Sequence, residues 1–472
     1  MRSDRALLLL SLPIVWFAAG CASVPRDAGF ADVRATVMAR TGADLRWNRG
    51  QNLPEIAAQV DRLLTGELTV DKAVAVALLN NRDLQATLEE LGVAQADLLQ
   101  AGLLRNPILG GELRFPAAPV RPFEITLAQP VLELFVLPLR KRVAASAFEA
   151  SKLRVTDAVL GLESETRAAF FRVQAAEQAV ASLRTLAEAA ATAAALADRQ
   201  NRAGNITDLD LAAERALAEQ SKLDLVQGQI ELTGSREALN RDLGLARTGI
   251  DWKVAAQLPE LPATDLPLAG LEAAAVEKRQ DLAALRRDVE AAARALPLTR
   301  TSAIEEAQVG AHRDRDASGA TTTGPVAALS VPIFNWGQAA RRRAEARYRQ
   351  AEHRYQARVA QVQSEVREAW GRLTASRQAA ELYRDSLVPL RRSLVELTQT
   401  AYNGMQVGVF QLLQAQRDEV LAERGAVDAR RDYWMARARL ERAIAARLPA
   451  GEPKEPASSH QPTAGRSPGG AS

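Results

Sequence analysis

Asn81-Arg82-Asp83-Leu84 is answered by Arg279-Gln280-Asp281-Leu282, and Gln129-Pro130-Val131-Leu132 by Val331-Pro332-Ile333-Phe334, at a shift of about 200 residues. Arg140-Lys141-Arg142 likewise returns as Arg342-Arg343, and Leu239-Asn240-Arg241 as Leu440-Glu441-Arg442. Coincidence supplies single pairs of this kind, but not a series in order at a near-constant offset. The chain is a tandem duplication, so its fold is one unit built twice.

Each half follows the same plan. A helix (residues 70–103 and 271–296) runs into a Pro- or Gly-marked region whose periodicity predicts paired strands. The pairs are 108–115 with 123–132, flanking Pro116-Ala117-Ala118-Pro119, and 307–313 with 326–334, flanking a loop with Asp316, Ser318, Gly319 and Gly324. A very long helix follows each pair: 139–203 is broken only by Gly161, and 338–403 by Gly371 and Pro389. At 1.5 Å per residue each is a rod of roughly 100 Å. Its apolar residues step by three and four, the spacing of a coiled coil. They are Val180, Leu183, Ala187, Ala190, Ala194 and Ala197 in one half, and Val359, Val362, Val366, Ala369 and Leu373 in the other. Pro389 predicts a kink, because it removes one backbone donor. A second helix returns in each half, over 208–243 and 409–447.

Composition agrees with rods rather than a thick core. Of the 472 residues 47% are apolar but only 4% aromatic, and alanine supplies much of the apolar share. The 60 basic and 57 acidic residues leave a formal charge of +3, which gives no electrostatic footprint for nucleic acid. Past the N-terminal leader no uninterrupted apolar stretch approaches spanning length, which predicts that any membrane crossing is made of β-strands.

The leader has a basic start (Arg2, Arg5), an apolar stretch over 6–18 broken by Ser11 and Pro13, and then Ala18-Ala19-Gly20-Cys21. This resembles a bacterial lipoprotein lipobox, with Ala18 where leucine is usual. The resemblance implies cleavage after Gly20 and lipid attachment at Cys21, the chain's one cysteine, with more than one acyl chain to hold it firmly. An uncleaved anchor and an incidental cysteine are the alternatives.

Four strands are too few to close a membrane barrel, for which about eight is the minimum. Strands that span a bilayer therefore require several copies, and three would supply a twelve-stranded barrel continuing into a tube of twelve helical tracks. The motifs agree: Leu68-Thr69-Val70-Asp71-Lys72-Ala73 leading to Asn80-Asn81-Arg82-Asp83-Leu84; Gly102-Leu103-Leu104-Arg105-Asn106-Pro107; Ala203-Gly204-Asn205-Ile206-Thr207-Asp208-Leu209-Asp210-Leu211; and Leu412-Leu413-Gln414-Ala415-Gln416-Arg417. On these the chain, over about residues 65–448, resembles the TolC-like outer-membrane efflux duct family.

The resemblance implies a mainly α fold with a small β part. Long coiled-coil helices form a trimeric α-barrel, and four strands per chain contribute to a twelve-stranded transmembrane β-barrel. Between the signal peptide (1–20) and a Pro-, Gly-, Ser- and Ala-rich tail (449–472) whose composition predicts disorder, it divides the chain into an N-terminal periplasmic belt segment (21–67), a first repeat (68–245), a linker in the belt (246–270) and a second repeat (271–448). It implies an outer-membrane, lipid-anchored homotrimer that passively exports what an inner-membrane transporter delivers through a periplasmic adaptor, with no cofactor and no catalysis. The helix-turn-helix tips, with Gly204, Asn205, Ile206 and Thr207 in one repeat and Gly404, Met405 and Gly408 in the other, become the periplasmic mouth and adaptor dock.

Family members commonly carry Tyr-x-x-Gly at the second tip, followed by two acidic residues that ring the constriction. Here Tyr402 is present, Met405 takes the glycine place, and Gln411 and Gln414 take the acidic places. Positions three apart share a helix face, so both glutamines are candidate aperture residues, with ordinary surface positions as the alternative. The histidines His312, His353 and His460 are isolated, and no metal-ligand spacing is present. His312 reads as a hydrated loop residue, and Trp336 beside Phe334 suits a membrane interface. A duct for secreted protein or peptide, and a lipid-anchored periplasmic scaffold that never crosses the membrane, are the alternative functions.

Overall fold

The computed structural model describes residues 27–49, 53–115, 120–245, 252–300, 304 and 306–449. The leader with Cys21 and the tail beyond residue 449 lie outside the described residues, as do 116–119 and 246–251. In chain order the elements are α1 (Phe30–Thr41), α2 (Leu53–Leu64), β1 (Glu67–Leu68), α3 (Val70–Asn80), α4 (Arg82–Ala101), β2 (Ile108–Leu113), β3 (Phe123–Pro130), α5 (Leu132–Arg202), α6 (Asp208–Asp242), β4 (Lys253–Val254), α7 (Leu271–Lys278), α8 (Gln280–Ala295), β5 (Ala307–Arg315), β6 (Thr321–Leu329), α9 (Gln338–Leu382), α10 (Val388–Asn403) and α11 (Val409–Ala443).

The two halves share one order of elements: two helices, a strand pair, a long helical rod and a return helix. The first helix of each is broken in two, where the sequence predicts one continuous helix. Asn81 makes the first break: its side-chain oxygen caps α4 by accepting from Leu84 N (2.8 Å), while its amide donates to Asp242 O (2.9 Å) at the end of α6. Arg279 makes the second and reaches Ala443 O (3.5 Å) at the end of α11. Each break thus satisfies carbonyls that the return helix of its own repeat leaves unpaired. Arg279 is 4% exposed and is neutralised by Asp281 (2.7 Å) and Glu365 (2.6 Å), both also held by Arg358. Burial alone would raise the Asp281 carboxyl, but hydrogen bonds and charge from Arg279 and Arg358 pull it down to about 2.

The long helix α5 has 71 residues, a rod of about 107 Å, and continues through Pro138 and Gly161. Its packing seam follows Val180, Leu183, Ala187, Ala190, Ala193 and Ala197, all buried; the 3.6-residue turn carries the seam to Ala193 rather than Ala194. The helix α5, rich in alanine, is long and apolar enough to cross a membrane by length and composition, although no uninterrupted apolar stretch in it reaches spanning length. Of these alanines, Ala187, Ala190, Ala193 and Ala197 are buried in the seam. The counterpart rod is interrupted at Tyr383–Leu387 by a π turn. The ring of Pro389 would clash with the carbonyl four residues earlier, on Asp385, and the extra residue in that turn relieves it.

The middle of α5 is wrapped by the rest of the chain. β1 pairs in parallel with β4, joining the N-terminal segment to the linker. Trp252, 1% exposed, donates Nε1–H to Asn240 (3.0 Å) and stacks under Arg236. The linker backbone is then held by Gln174, Trp434 and Trp370, which donate to Gln257 O (2.6 Å), Pro259 O (2.9 Å) and Leu266 O (3.1 Å). Tyr433, fully buried, donates to Asp265 (2.8 Å), which also pairs with Arg377 (2.6 Å). Arg447 closes the ring from the C-terminal side by donating to Thr41 O.

Asp242 lies at this level, and burial, reinforced by Glu165, raises its carboxyl to about 6 against the pull of Arg241 and Arg172. The folded state thus holds this proton more tightly than the unfolded chain. The stability tied to it is full below the unfolded value near 4 and is lost as pH rises toward 6. Asp242→Asn is expected to flatten that slope and to stabilise the protein at pH 7.5 by about 1–3 kcal/mol, read from thermal unfolding at pH 4 to 8.

Candidate channel elements

The four longer strands form one antiparallel sheet in the order β2-β3-β5-β6. Its register corrects the strand bounds: β5 continues to Arg315, and β6 runs over Thr321–Leu329 rather than 326–334. Asp316 explains the tighter hairpin, because its Oδ1 accepts from Ser318 N (2.8 Å) and Ala320 N (3.0 Å) and lets the ladder start at Thr321. At the other end Ser330 is bonded to Glu306 (2.9 Å), and Pro332 has no donor to extend the pairing. His312 is therefore a strand residue, opposite Thr126 and Gly324, and not a loop residue.

Alternation separates two faces. On one, Leu109, Leu113, Ile125, Leu127, Val309 and Leu329 are exposed, at 47% or more. On the other, register aligns Glu112, Glu124 and Asp314 in one row across three strands, with Thr126 and His312 in the next. Arg114 bonds both Glu112 (2.9 Å) and Glu124 (3.0 Å). Arg313 and Arg315 share the first face at its β5–β6 hairpin end; away from that end, an apolar face backed by a polar face is the pattern of a strand between lipid and a wet lumen. Among the described residues, no group of three or more His, Cys, Asp and Glu is arranged to hold a metal ion. The outer edges of β2 and β6 have no strand partner among the described residues.

The far ends of the long helices form the two tips. In the first, Gly204 is left-handed (φ +76°), Asn205 N donates to Gln200 O (2.8 Å), and Thr207 caps α6 in a reciprocal pair with Asp210. In the second, Met405 adopts the same conformation (φ +57°) at 94% exposure, and Gln406 N donates to Ala401 O (2.9 Å). The glycine preference at this place thus has a backbone cause that Met405 bears as strain. A Cβ on Gly204 would meet nothing within 4 Å, so Gly204→Ala is expected to cost backbone strain alone, about 1 kcal/mol. Faster limited proteolysis at Arg202 would register it.

The candidate aperture residues are engaged locally. Gln411 turns back so that its Oε1 accepts from Gly408 N (2.6 Å), doing for α11 what Asp210 does for α6. Gln414 donates to Asp418 (2.9 Å), which is paired with Arg391 (3.0 Å). Both glutamines are exposed. Neither the carboxylate row nor Asp418 was found in the sequence. The first needs strand register to become visible, and the second lies one turn beyond the motif.

The sequence aligns with the cobalt-zinc-cadmium resistance protein CzcC of Cupriavidus metallidurans at 24% identity over 370 residues, which is 75% of this chain and 85% of CzcC. The fold is similar to that of a membrane protein of Pseudomonas aeruginosa, with a TM-score of 0.68 at 22% identity over 79% of this chain and 93% of that one. It is also similar to the CmeC outer membrane channel of Campylobacter jejuni, with a TM-score of 0.70 at 18% identity over 81% of this chain and 87% of that one. No protein-family model matches the sequence. The likeness read from the motifs holds in the fold, which is similar to that of TolC-like outer-membrane channels.

Proposed function

We propose that the chain is the outer-membrane exit duct of a tripartite efflux system, working as a homotrimer that is passive and powered by a partner transporter in the inner membrane. The observation that carries this reading is the pair of open edges on β2 and β6. Four alternating strands leave those edges antiparallel to each other, so β6 of one copy accepts β2 of the next and a ring of copies closes with every strand paired. The exposed helix faces favour the same neighbour. Leu223, Val226 and Ile230 form an apolar stripe on α6, and Leu390, Leu394 and Leu397 form one on α10. Stripes of this spacing call for a facing helix.

In this reading the tip residues, Gly204 to Thr207 and Gly404 to Gly408, dock the periplasmic adaptor, and lipid on Cys21 tethers the N-terminus to the outer membrane. Metal cations are the favoured cargo, because CzcC is named for cobalt, zinc and cadmium resistance. The row of Glu112, Glu124 and Asp314 suits their passage. The test is a cysteine scan across the open edges, with Leu109→Cys combined in turn with Pro325→Cys, Ala327→Cys and Leu329→Cys. One pair should give crosslinked dimers and trimers under mild oxidation and nothing larger. Monomers throughout, or ladders past three, would rule out the closed trimer.

A further inference from the structure

We propose that Lys141, Arg142 and Arg343 bind the phosphates of anionic phospholipids in the periplasmic leaflet of the outer membrane; this rests on the duct reading, since it needs the strands in the bilayer. At the helix side of the sheet the exposed apolar surface continues past the strands: Leu134 and Phe135 are 54% and 74% exposed in the first turn of α5, and Phe334 and Trp336 are 91% and 69% exposed before α9. These side chains extend the lipid-facing band toward the periplasm, and Trp336 has the amphipathic ring that favours an interface.

The cations sit at a set depth beneath that band. Lys141 follows Leu134, and Arg142 follows Phe135, by seven residues, which is two helical turns on the same face and about 10.5 Å along the axis. The headgroup layer lies about 5–8 Å beyond the hydrocarbon edge, within reach of side chains of this length. In the second repeat Arg343 follows Trp336 by seven residues, in the first two turns of α9, so each repeat places a cation beyond exposed apolar side chains. All three are exposed, and none has an ion-pair partner among the described residues, unlike Arg105 and Arg140, which share Glu133, and Arg341 and Arg342, which share Glu345. Unpaired cations under an apolar collar complement phosphate, and a ring of copies repeats them around the whole rim.

The experiment uses the full-length purified protein and two readouts. Flotation with pure phosphatidylcholine vesicles reads insertion. Native mass spectrometry after exposure to an equimolar mixture of phosphatidylglycerol and phosphatidylcholine reads which lipid is retained. The wild type is expected to insert and to retain phosphatidylglycerol in roughly fivefold excess or more. The K141Q/R142Q/R343Q variant should insert equally and lose that excess. Insertion without a preference in the wild type, or an unchanged preference in the variant, overturns the headgroup assignment and leaves the duct standing. Failure of the wild type to insert removes the duct reading and this inference with it.

Discussion

Gly310→Val is expected to leave the helical rods folded and to abolish insertion into lipid. Gly310 lies in β5 opposite Ala128, and a Cβ there would overlap the carbonyl oxygen of Leu127 and stand 2.8 Å from Ala128 Cα. Both obstacles are backbone atoms of β3, so no side chain can swing aside. The strands must separate, at a cost of about 3 kcal/mol or more. That ladder joins the strand pair of one repeat to that of the other, so its loss leaves two isolated hairpins with four open edges. Far-UV circular dichroism should stay helical while flotation with vesicles and the heat-labile oligomer on gels both vanish. Gly111→Val is the control: a Cβ at Gly111 meets nothing within 4 Å, and insertion should persist.

Arg279→Met is expected to destabilise the second repeat by about 1–3 kcal/mol, because it strips Asp281 and Glu365 of their buried partner while leaving them in place. Arg358 still contacts both acids, which keeps the effect below the loss of a fully isolated charge. The pH dependence identifies the cause. Asp281 is held near 2 in the folded state, so its contribution is present above about 4 and is lost as pH falls toward 2. The variant should therefore differ most from the wild type in thermal unfolding near neutrality and least in strong acid. Arg279→Lys should recover part of the loss, since a single ammonium cannot reproduce the forked contacts of the guanidinium.

The order of helices and strands was legible because it rests on local periodicity and on a repeat that states each signal twice. What depended on distant partners was not. Asn81 and Arg279 sit inside apolar helical patterns, and they break their helices because their side chains are committed to carbonyls over 150 residues away in sequence. Pro389 was read as a kink, and the rod is interrupted just upstream of it by a π turn that leaves the proline in the first turn of α10. Gln411 lines up with acidic aperture residues by motif, yet a glycine at position 408 leaves α11 without a capping side chain, and Gln411 supplies the bond itself. The row of Glu112, Glu124 and Asp314 was invisible for the same reason, as the three residues are neighbours only in the register of the sheet.

The central claim is that copies of this chain close into a conducting duct, and single-channel recording of the purified oligomer in planar bilayers, with its mass measured in parallel, tests it most directly. A trimeric mass with discrete conductance steps is the result expected. A monomer or dimer that binds lipid and never conducts, even when Arg391→Ala and Asp418→Ala loosen the second tip, would contradict it and leave a lipid-anchored scaffold.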